Sequence, residues 1–310
     1  MKTLVTGGAG FIGSNLVDAL LARGDDVTVL DDLSTGRLVN LEGALAAGAR
    51  LAEIDVRDGA AVGGLFAETR PELVFHLAAQ IDVRKSVEDP YFDAAVNVGG
   101  TANVLEAARA SDVGRVIFVS TGGALYGEGE GKDLPLSEAT EIAPLSGYGQ
   151  SKWAAEGYLG LFERLHGLSG MSLRLGNVYG PRQDPLGEAG VVAIFCGLVK
   201  NGGAPTVYGD GTQTRDYIYV GDVVTAALAA GATRLGGAVN IGTGREASVL
   251  DLVDILAGLA GRDDFKPEFA PPRAGEVQRI SLDAGLAGRE LGWAPQTTLE
   301  QGLALTLDAV

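Results

Sequence analysis

Short apolar runs alternate with longer stretches of helical spacing along the first half of the chain. Residues 2–6, 27–30, 50–54, 73–77, 115–119 and 172–175 read as strands bounded by Gly, Asp and Ser, and most are near-continuously apolar. That is the pattern of parallel strands covered on both faces. Between them, residues 11–23, 37–46, 59–69, 91–110 and 148–166 carry helical periodicity; in the first, Phe11, Ile12, Leu16 and Leu20 share one face. Alternation with short turns predicts an α/β fold, a doubly wound parallel sheet with right-handed crossovers. The second half is more irregular. Turn-rich segments at 180–190, 202–215 and 269–276 separate helices predicted at 191–200, 220–230, 249–260 and 299–307. This suits a second, smaller lobe that lays loops over the first.

Charge narrows the partners. The 310 residues include 40 acidic and 24 basic side chains, a formal net charge of −16. Such a surface repels nucleic acid and anionic lipid, so neither is an expected partner. No apolar run approaches a bilayer span, the best being 191–195, and the start leads straight into a turn at Gly7, so no leader peptide is expected. Cys196 is the only cysteine. That excludes an internal disulfide and a cysteine-rich metal site; no metal is expected, and a reducing cytoplasm is the default.

Leu4-Val5-Thr6-Gly7-Gly8-Ala9-Gly10-Phe11-Ile12-Gly13 places glycines at 7, 10 and 13 between the first strand and the first helix. Gly7 permits a tight turn, Gly10 lets backbone N–H groups approach a pyrophosphate, and Gly13 lets helix and strand pack closely. The helix N-terminus then turns its positive end to the phosphates. Asp31 ends the second strand 18 residues after Gly13. It can accept hydrogen bonds from both ribose hydroxyls of NAD, and its charge repels the 2′-phosphate of NADP. The first domain therefore reads as a Rossmann-type NAD domain. Asp55 and Val56, after the third strand, are placed to meet the adenine; Asp55 equally suits an ordinary helix N-cap.

Tyr148-Gly149-Gln150-Ser151-Lys152 opens the helix predicted at 148–166, with Tyr and Lys on one face. An ammonium beside a phenol lowers the phenol pKa from about 10 toward neutrality. Such a tyrosine serves as general base toward a sugar hydroxyl and returns the proton as general acid. The turn Ser120-Thr121-Gly122-Gly123 follows strand 115–119 and falls at the carboxyl edge of the sheet, where its hydroxyls can orient a substrate oxygen.

With these motifs the sequence resembles the extended short-chain dehydrogenase/reductase family, and within it the NAD-dependent nucleotide-sugar epimerases of the UDP-glucose 4-epimerase type. The marks are TGGAGFIGS at 6–14, DD at 31–32, HLAAQ at 76–80, STGGALYG at 120–127, YGQSK at 148–152, GNVYGPRQ at 176–183, RDYIYVGDV at 215–223, NIGTG at 240–244 and PRAGEV at 272–277. The resemblance implies NAD held by Gly7, Gly10, Phe11, Ile12, Gly13, Asp31, Asp32, Asp55, Val56, Leu77, Ala78, Ala79 and Asn97. It implies Tyr148 as base and Lys152 on the nicotinamide ribose. In many relatives the substrate hydroxyl residue stands at the position of Gly122; the nearest hydroxyl here is Thr121, which takes that role, with Ser120 as the fallback.

The resemblance also divides the chain. Residues 1–176 form the NAD domain, with 217–242 returning to it, and 177–216 with 243–310 form an α/β nucleotide-sugar lobe. In that lobe it implies Asn177 at the sugar or phosphates, Val191 and Val192 at the phosphate and uracil edge, and Arg215 and Arg273 on the diphosphate, where guanidinium forks suit phosphate oxygens. Glu276 is implied at the uridine ribose, with Tyr208 and Tyr217 as pocket walls. Arg84 can also reach the site or be a solvated loop charge. Ile280 falls where relatives gate an N-acetyl group. Sugar 4,6-dehydratases of the family carry an Asp-Glu pair after the loop Thr, where this chain has Gly122-Gly123. The expected reaction is therefore interconversion of UDP-galactose and UDP-glucose through a transient 4-keto sugar and bound NADH. The alternatives are a 4-epimerase for UDP-glucuronate or UDP-N-acetylhexosamine, and an NAD-sensing regulator. A homodimer is expected, paired through helices 91–110 and 148–166.

Overall fold

The computed structural model describes residues 1–129, 131–185, 190–273 and 277–310. Strands β1 (Lys2–Thr6), β2 (Asp26–Asp31), β3 (Arg50–Glu53), β4 (Leu73–His76), β5 (Arg115–Thr121) and β6 (Gly170–Leu175) form where the apolar runs predict them. A seventh strand, Ala238–Ile241, joins β6 in parallel. The sheet runs in the order Ala238–Ile241, β6, β5, β4, β1, β2, β3. Its chain order reverses between β1 and β4, where Thr6 pairs with His76, and a crevice at the carboxyl ends is the expected result.

The period-two alternation of the strands fills two cores. Val5, Val29, Phe75, Ile117 and Met171 pack with the helices Phe11–Ala22 and Val220–Ala232 on one face. Leu4, Leu30, Val74, Val116 and Phe118 pack with Gly59–Thr69, Gly100–Ala110 and Gly147–His166 on the other. The helix predicted at 91–110 is broken into Pro90–Ala94, a π turn at Ala95–Gly99 and Gly100–Ala110. The turn predicted at 120–123 is the end of β5 followed by one helical turn, Gly122–Leu125.

In the second half, the helices Val191–Lys200, Val249–Ala260 and Leu299–Asp308 surround a separate core of Phe195, Leu252, Leu256, Phe265 and Leu303. Among the described residues no helix is long and apolar enough to cross a membrane, and no group of His, Cys, Asp or Glu could hold a metal ion.

Candidate active site

The glycine loop is shaped by what its residues lack. Gly7 has φ +68°, and a Cβ there would lie 2.7 Å from the backbone nitrogen of Ala78. A Cβ on Gly13 would lie 2.1 Å from the Gly7 carbonyl oxygen. The helix Phe11–Ala22 has Gly10 as its N-cap, with no capping side chain and no acidic residue in its first turn. Its first N–H groups, those of Phe11, Ile12 and Gly13, have no partner within the helix and form a site for an anion. Leu77 and Ala78 each donate a backbone N–H to the Thr6 hydroxyl at 3.1 Å, which lays 77–79 beside the loop.

Asp31 pins the loop. Its buried carboxylate accepts the backbone N–H groups of Ala9 and Leu33, both at 2.9 Å, and caps no helix. Burial pushes this carboxyl up, against those two hydrogen bonds. Asp32 accepts from the backbone and hydroxyl of Ser34. Asp55 is not the N-cap that its position allows: Asp58 caps the helix Gly59–Thr69, and Asp55 pairs with Arg57, whose guanidinium holds the carboxyl below its usual range. Val56 is buried in the core beneath Gly100. These residues fit a dinucleotide: a cradle that a Cβ at 7 or 13 would fill, an uncapped helix N-terminus and an acidic residue at the end of β2.

At the carboxyl end of β5, the Thr121 side chain stands beside the Tyr148 phenol and favours its ionised form. Thr121 Oγ1 accepts the N–H of Ala124 at 3.2 Å. Tyr148 lies in the first turn of Gly147–His166, capped by the Ser146 hydroxyl, which accepts from Gly149 at 3.1 Å. Its hydroxyl is enclosed, although the residue keeps some exposed surface. Burial pushes the phenol up to about 12; the Thr121 side chain pulls it down and the Asp93 carboxylate pushes it further up.

Lys152 does not make the phenol contact that its spacing suggests. Its Nζ donates to the Val119 carbonyl at 2.8 Å and lies 4.7 Å from the Phe118 ring centroid. Burial brings this ammonium down to about 8, while Asp93 and Glu156 hold it up. The chain's own groups therefore raise the phenol instead of lowering it. Ser120, the fallback hydroxyl, is 3% exposed, and its Oγ has no hydrogen-bond partner.

The second-lobe residues separate into surface and core. Tyr208 is exposed, with the Arg273 guanidinium stacked 3.9 Å from its ring centroid. Arg215 donates from Nη1 to the Thr214 carbonyl at 2.8 Å. Asn177 opens the strand Asn177–Tyr179, and its Oδ1 lies 3.5 Å from where a Cβ on Gly123 would stand. Tyr217 is not a pocket wall: it is buried in the lobe core, edge-on to Tyr179. Val192 is also spent on that core, while Val191 is half-buried. Ile280 is buried with Tyr126, Leu136 and Leu282. Arg84 lies on the exposed helix Val83–Glu88, not in a loop. Glu276 lies outside the described residues.

Two buried hydrogen-bond clusters escape the sequence reading, which named Asn97 of the second only as a residue implied at the cofactor. In one, His76 bridges the hydroxyls of Thr6 and Thr101 at 2.7 and 2.9 Å. In the other, Asn97, on the π turn, donates from Nδ2 to Asp93 at 3.1 Å and to Ser151 at 3.0 Å, and its Oδ1 accepts from Gln80 at 2.8 Å. A signal was available for the first: His76 is one of only two histidines and stands in an apolar strand.

Comparison with known proteins agrees with this geometry. A model of the NAD dependent epimerase/dehydratase family matches residues 3–242. A UDP-glucose 4-epimerase from Mycolicibacterium smegmatis is 48% identical over 99% of this chain and 98% of its own. The solved UDP-glucose 4-epimerase of Thermotoga maritima, with UDP-glucose, is 45% identical, covers 100% of this chain and 98% of its own, and superposes with a TM-score of 0.95. That of Thermus thermophilus, in complex with NAD, is 45% identical with a TM-score of 0.91 over 100% of this chain and 98% of its own. The chain therefore belongs to the NAD dependent epimerase/dehydratase family.

Proposed function

We propose that the chain interconverts UDP-galactose and UDP-glucose by inverting C4, the activity carried in the names of the three relatives above. The observation that carries this reading is Thr121, at the end of β5 beside the Tyr148 phenol and followed by two glycines. Dehydration needs an acid and a base next to that hydroxyl, and Gly122-Gly123 supply neither. Identity of 45–48% over the whole length supports the same reaction, and retention of Tyr148 and Lys152 argues against a mere NAD-sensing regulator.

Bound in the glycine cradle, NAD would supply a reversible acceptor for the hydrogen at sugar C4 and a positive charge. Tyr148 takes the proton of the C4 hydroxyl as the carbon becomes a ketone, and returns it when the alcohol re-forms on the other face. Thr121 orients the sugar oxygen. Lys152, whose Nζ donates to the Val119 carbonyl, contributes its charge and would hold the cofactor ribose. Asn177, Val191, Tyr208, Arg215 and Arg273 belong to the lobe of residues 177–216 and 243–310, which holds the UDP while the hexose turns over. Tight anchoring of the non-reacting nucleotide makes that reorientation possible.

A homodimer is part of this reading. Trp153, Tyr158, Leu161 and Leu165 are exposed along Gly147–His166, and a Cβ on Gly157 would meet nothing within 4 Å. An apolar stripe with an open glycine suits close helix–helix pairing. Action in the cytoplasm is likewise part of it, supported by the lone, buried Cys196.

The test uses UDP-galactose deuterated at C4 and NMR. UDP-glucose with the label still at C4 is expected, from protein that carries NAD without addition. A 4-keto-6-deoxy sugar, or loss of the label to water, sinks the reading. Parallel assays with UDP-glucuronate and UDP-N-acetylgalactosamine separate the related epimerases.

A further inference from the structure

We propose that Asp93 is a positioning residue, the fixed negative countercharge of the Tyr148–Lys152 pair, held in place by Gln80 and Asn97. The proposal rests on the reading of that pair given above. Asp93 lies in the short helix Pro90–Ala94 and is 1% exposed. A buried carboxylate is retained only where hydrogen bonds and a countercharge compensate its desolvation. Its Oδ1 accepts from Gln80 Nε2 at 2.9 Å and from Asn97 Nδ2 at 3.1 Å. The same Asn97 nitrogen shares its two protons with the Gln80 carbonyl at 2.9 Å and the Ser151 hydroxyl at 3.0 Å as well, and Ser151 donates to the Tyr148 carbonyl at 3.0 Å. One nitrogen thus ties Asp93 to the turn of helix that carries both Tyr148 and Lys152.

The other ionisable groups around the pair are accounted for. Glu156, on the same helix, is ion-paired with Arg174 of β6 at 2.7 Å. His76 of β4 is held neutral by burial. Asp93 acts on both members, disfavouring phenolate at Tyr148 and favouring ammonium at Lys152. Its charge therefore keeps Lys152 protonated in a buried place and sets the pH at which the phenol gives up its proton.

Removing the charge lets both groups lose protons more readily, so both limbs of a bell-shaped pH profile move the same way. The experiment measures kcat and kcat/KM against pH for UDP-galactose conversion by the NAD-loaded full chain. Asp93→Asn keeps an oxygen for Gln80 and Asn97 and removes the charge. Both limbs are expected to move toward acid by roughly one pH unit, and Asp93→Glu should bring the bell back toward its original position at a lower rate. A profile lowered alike at every pH, with its limbs unmoved, overturns the proposal. If Asp93→Asn does not fold, Asp93→Glu decides: a bell at the original pH supports the countercharge, and a bell moved toward acid overturns it. Tyr148→Phe, run alongside, separates the failures. An inactive Tyr148→Phe with an unmoved Asp93→Asn profile removes Asp93 alone, whereas an active Tyr148→Phe overturns both readings.

Discussion

Acidification should destabilise this protein through His76, and replacing that residue by Gln isolates the effect. The imidazole ends β4 and is 1% exposed. Its tautomer follows from its partners. The Thr101 hydroxyl donates to the Asn97 carbonyl at 2.6 Å, so it accepts from His76 Nε2. The Thr6 hydroxyl oxygen accepts from Leu77 and Ala78, so its proton goes to His76 Nδ1. A second ring proton on Nδ1 finds no acceptor. Burial, with the Lys152 charge adding to it, pulls the pKa from 6.5 to about 3. The folded value lies below the unfolded one, so the unfolded chain takes up the proton first. The contribution of neutral His76 is complete above pH 6.5 and is lost as pH falls from there toward 3. At pH 5 the loss spans about 1.5 pK units, or about 2 kcal/mol. Denaturant unfolding of wild type and His76→Gln at pH 8 and pH 5 reads it directly: the stability gap between them should close by that amount on acidification. The buried carboxyls Asp31 and Asp216, both pushed up by burial, act in the opposite direction but are common to both proteins. An equal gap at the two pH values refutes the reasoning.

Tyr148→Phe should lower turnover by about 10²–10⁴-fold while NAD stays bound, since it removes the acid–base oxygen and keeps the ring; near-normal turnover contradicts the role. Thr121→Ala should cost less, and Ser120→Ala less still, because Thr121 and not Ser120 stands beside the phenol; steady-state rates in the reverse order would transfer the role to Ser120. Gly13→Ala should lose bound NAD and about 1–3 kcal/mol of stability, as its Cβ would meet the Gly7 carbonyl oxygen at 2.1 Å; unchanged cofactor content by absorbance and unchanged unfolding would be inconsistent with the cradle. Leu161→Arg should convert a dimer to a monomer by light scattering at micromolar concentration, and an unaltered mass would place the interface elsewhere.

Five of the six strands and the long helices were legible because each buries an apolar stripe of the right period; β3, at the sheet edge, is only half-buried and was legible from its place in the alternation. The seventh strand was not. Ala238–Ile241 carries Asn240, fully buried, whose amide accepts from the Tyr126 hydroxyl at 2.7 Å and donates to the Leu136 carbonyl at 2.9 Å. Those partners are remote in sequence, so no local pattern announces a strand there. The glycine cradle was legible because a positive φ and close approach restrict a position to one residue type. The Tyr148–Lys152 spacing was legible as one helical face, but its electrostatics were not. That Lys152 turns to Val119 and that Asp93 joins the Asn97–Ser151 network behind their helix turn depend on packing between elements. The burial of Tyr217 and Val192 was hidden for the same reason: a motif gives their place in the chain, and only the packed lobe shows that their side chains face its core.

The catalytic edge owes its shape to missing side chains. A Cβ on Gly149 would stand 2.4 Å from the Ala124 carbonyl oxygen, and one on Gly147 2.5 Å from that of Ser86. Gly149 lets the helix carrying Tyr148 press onto the turn that follows Thr121, which brings phenol and hydroxyl together, and Gly147 lets the same helix approach Val83–Glu88. Gly122 and Gly123 differ from each other. A Cβ on Gly122 would lie 2.4 Å from the Leu282 side chain, which is buried with Tyr126 and Ile280. A Cβ on Gly123 would face Asn177 Oδ1 at 3.5 Å and Thr121 Oγ1 at 3.9 Å, toward the substrate. A carboxylate can therefore be placed at 123 but not at 122 unless Leu282 moves or shrinks. Installing the acid–base pair of a dehydratase would require a change in the core as well as in the loop. The restriction of this site to redox chemistry at C4 is thus built into the packing behind Thr121 as much as into the residues that line it.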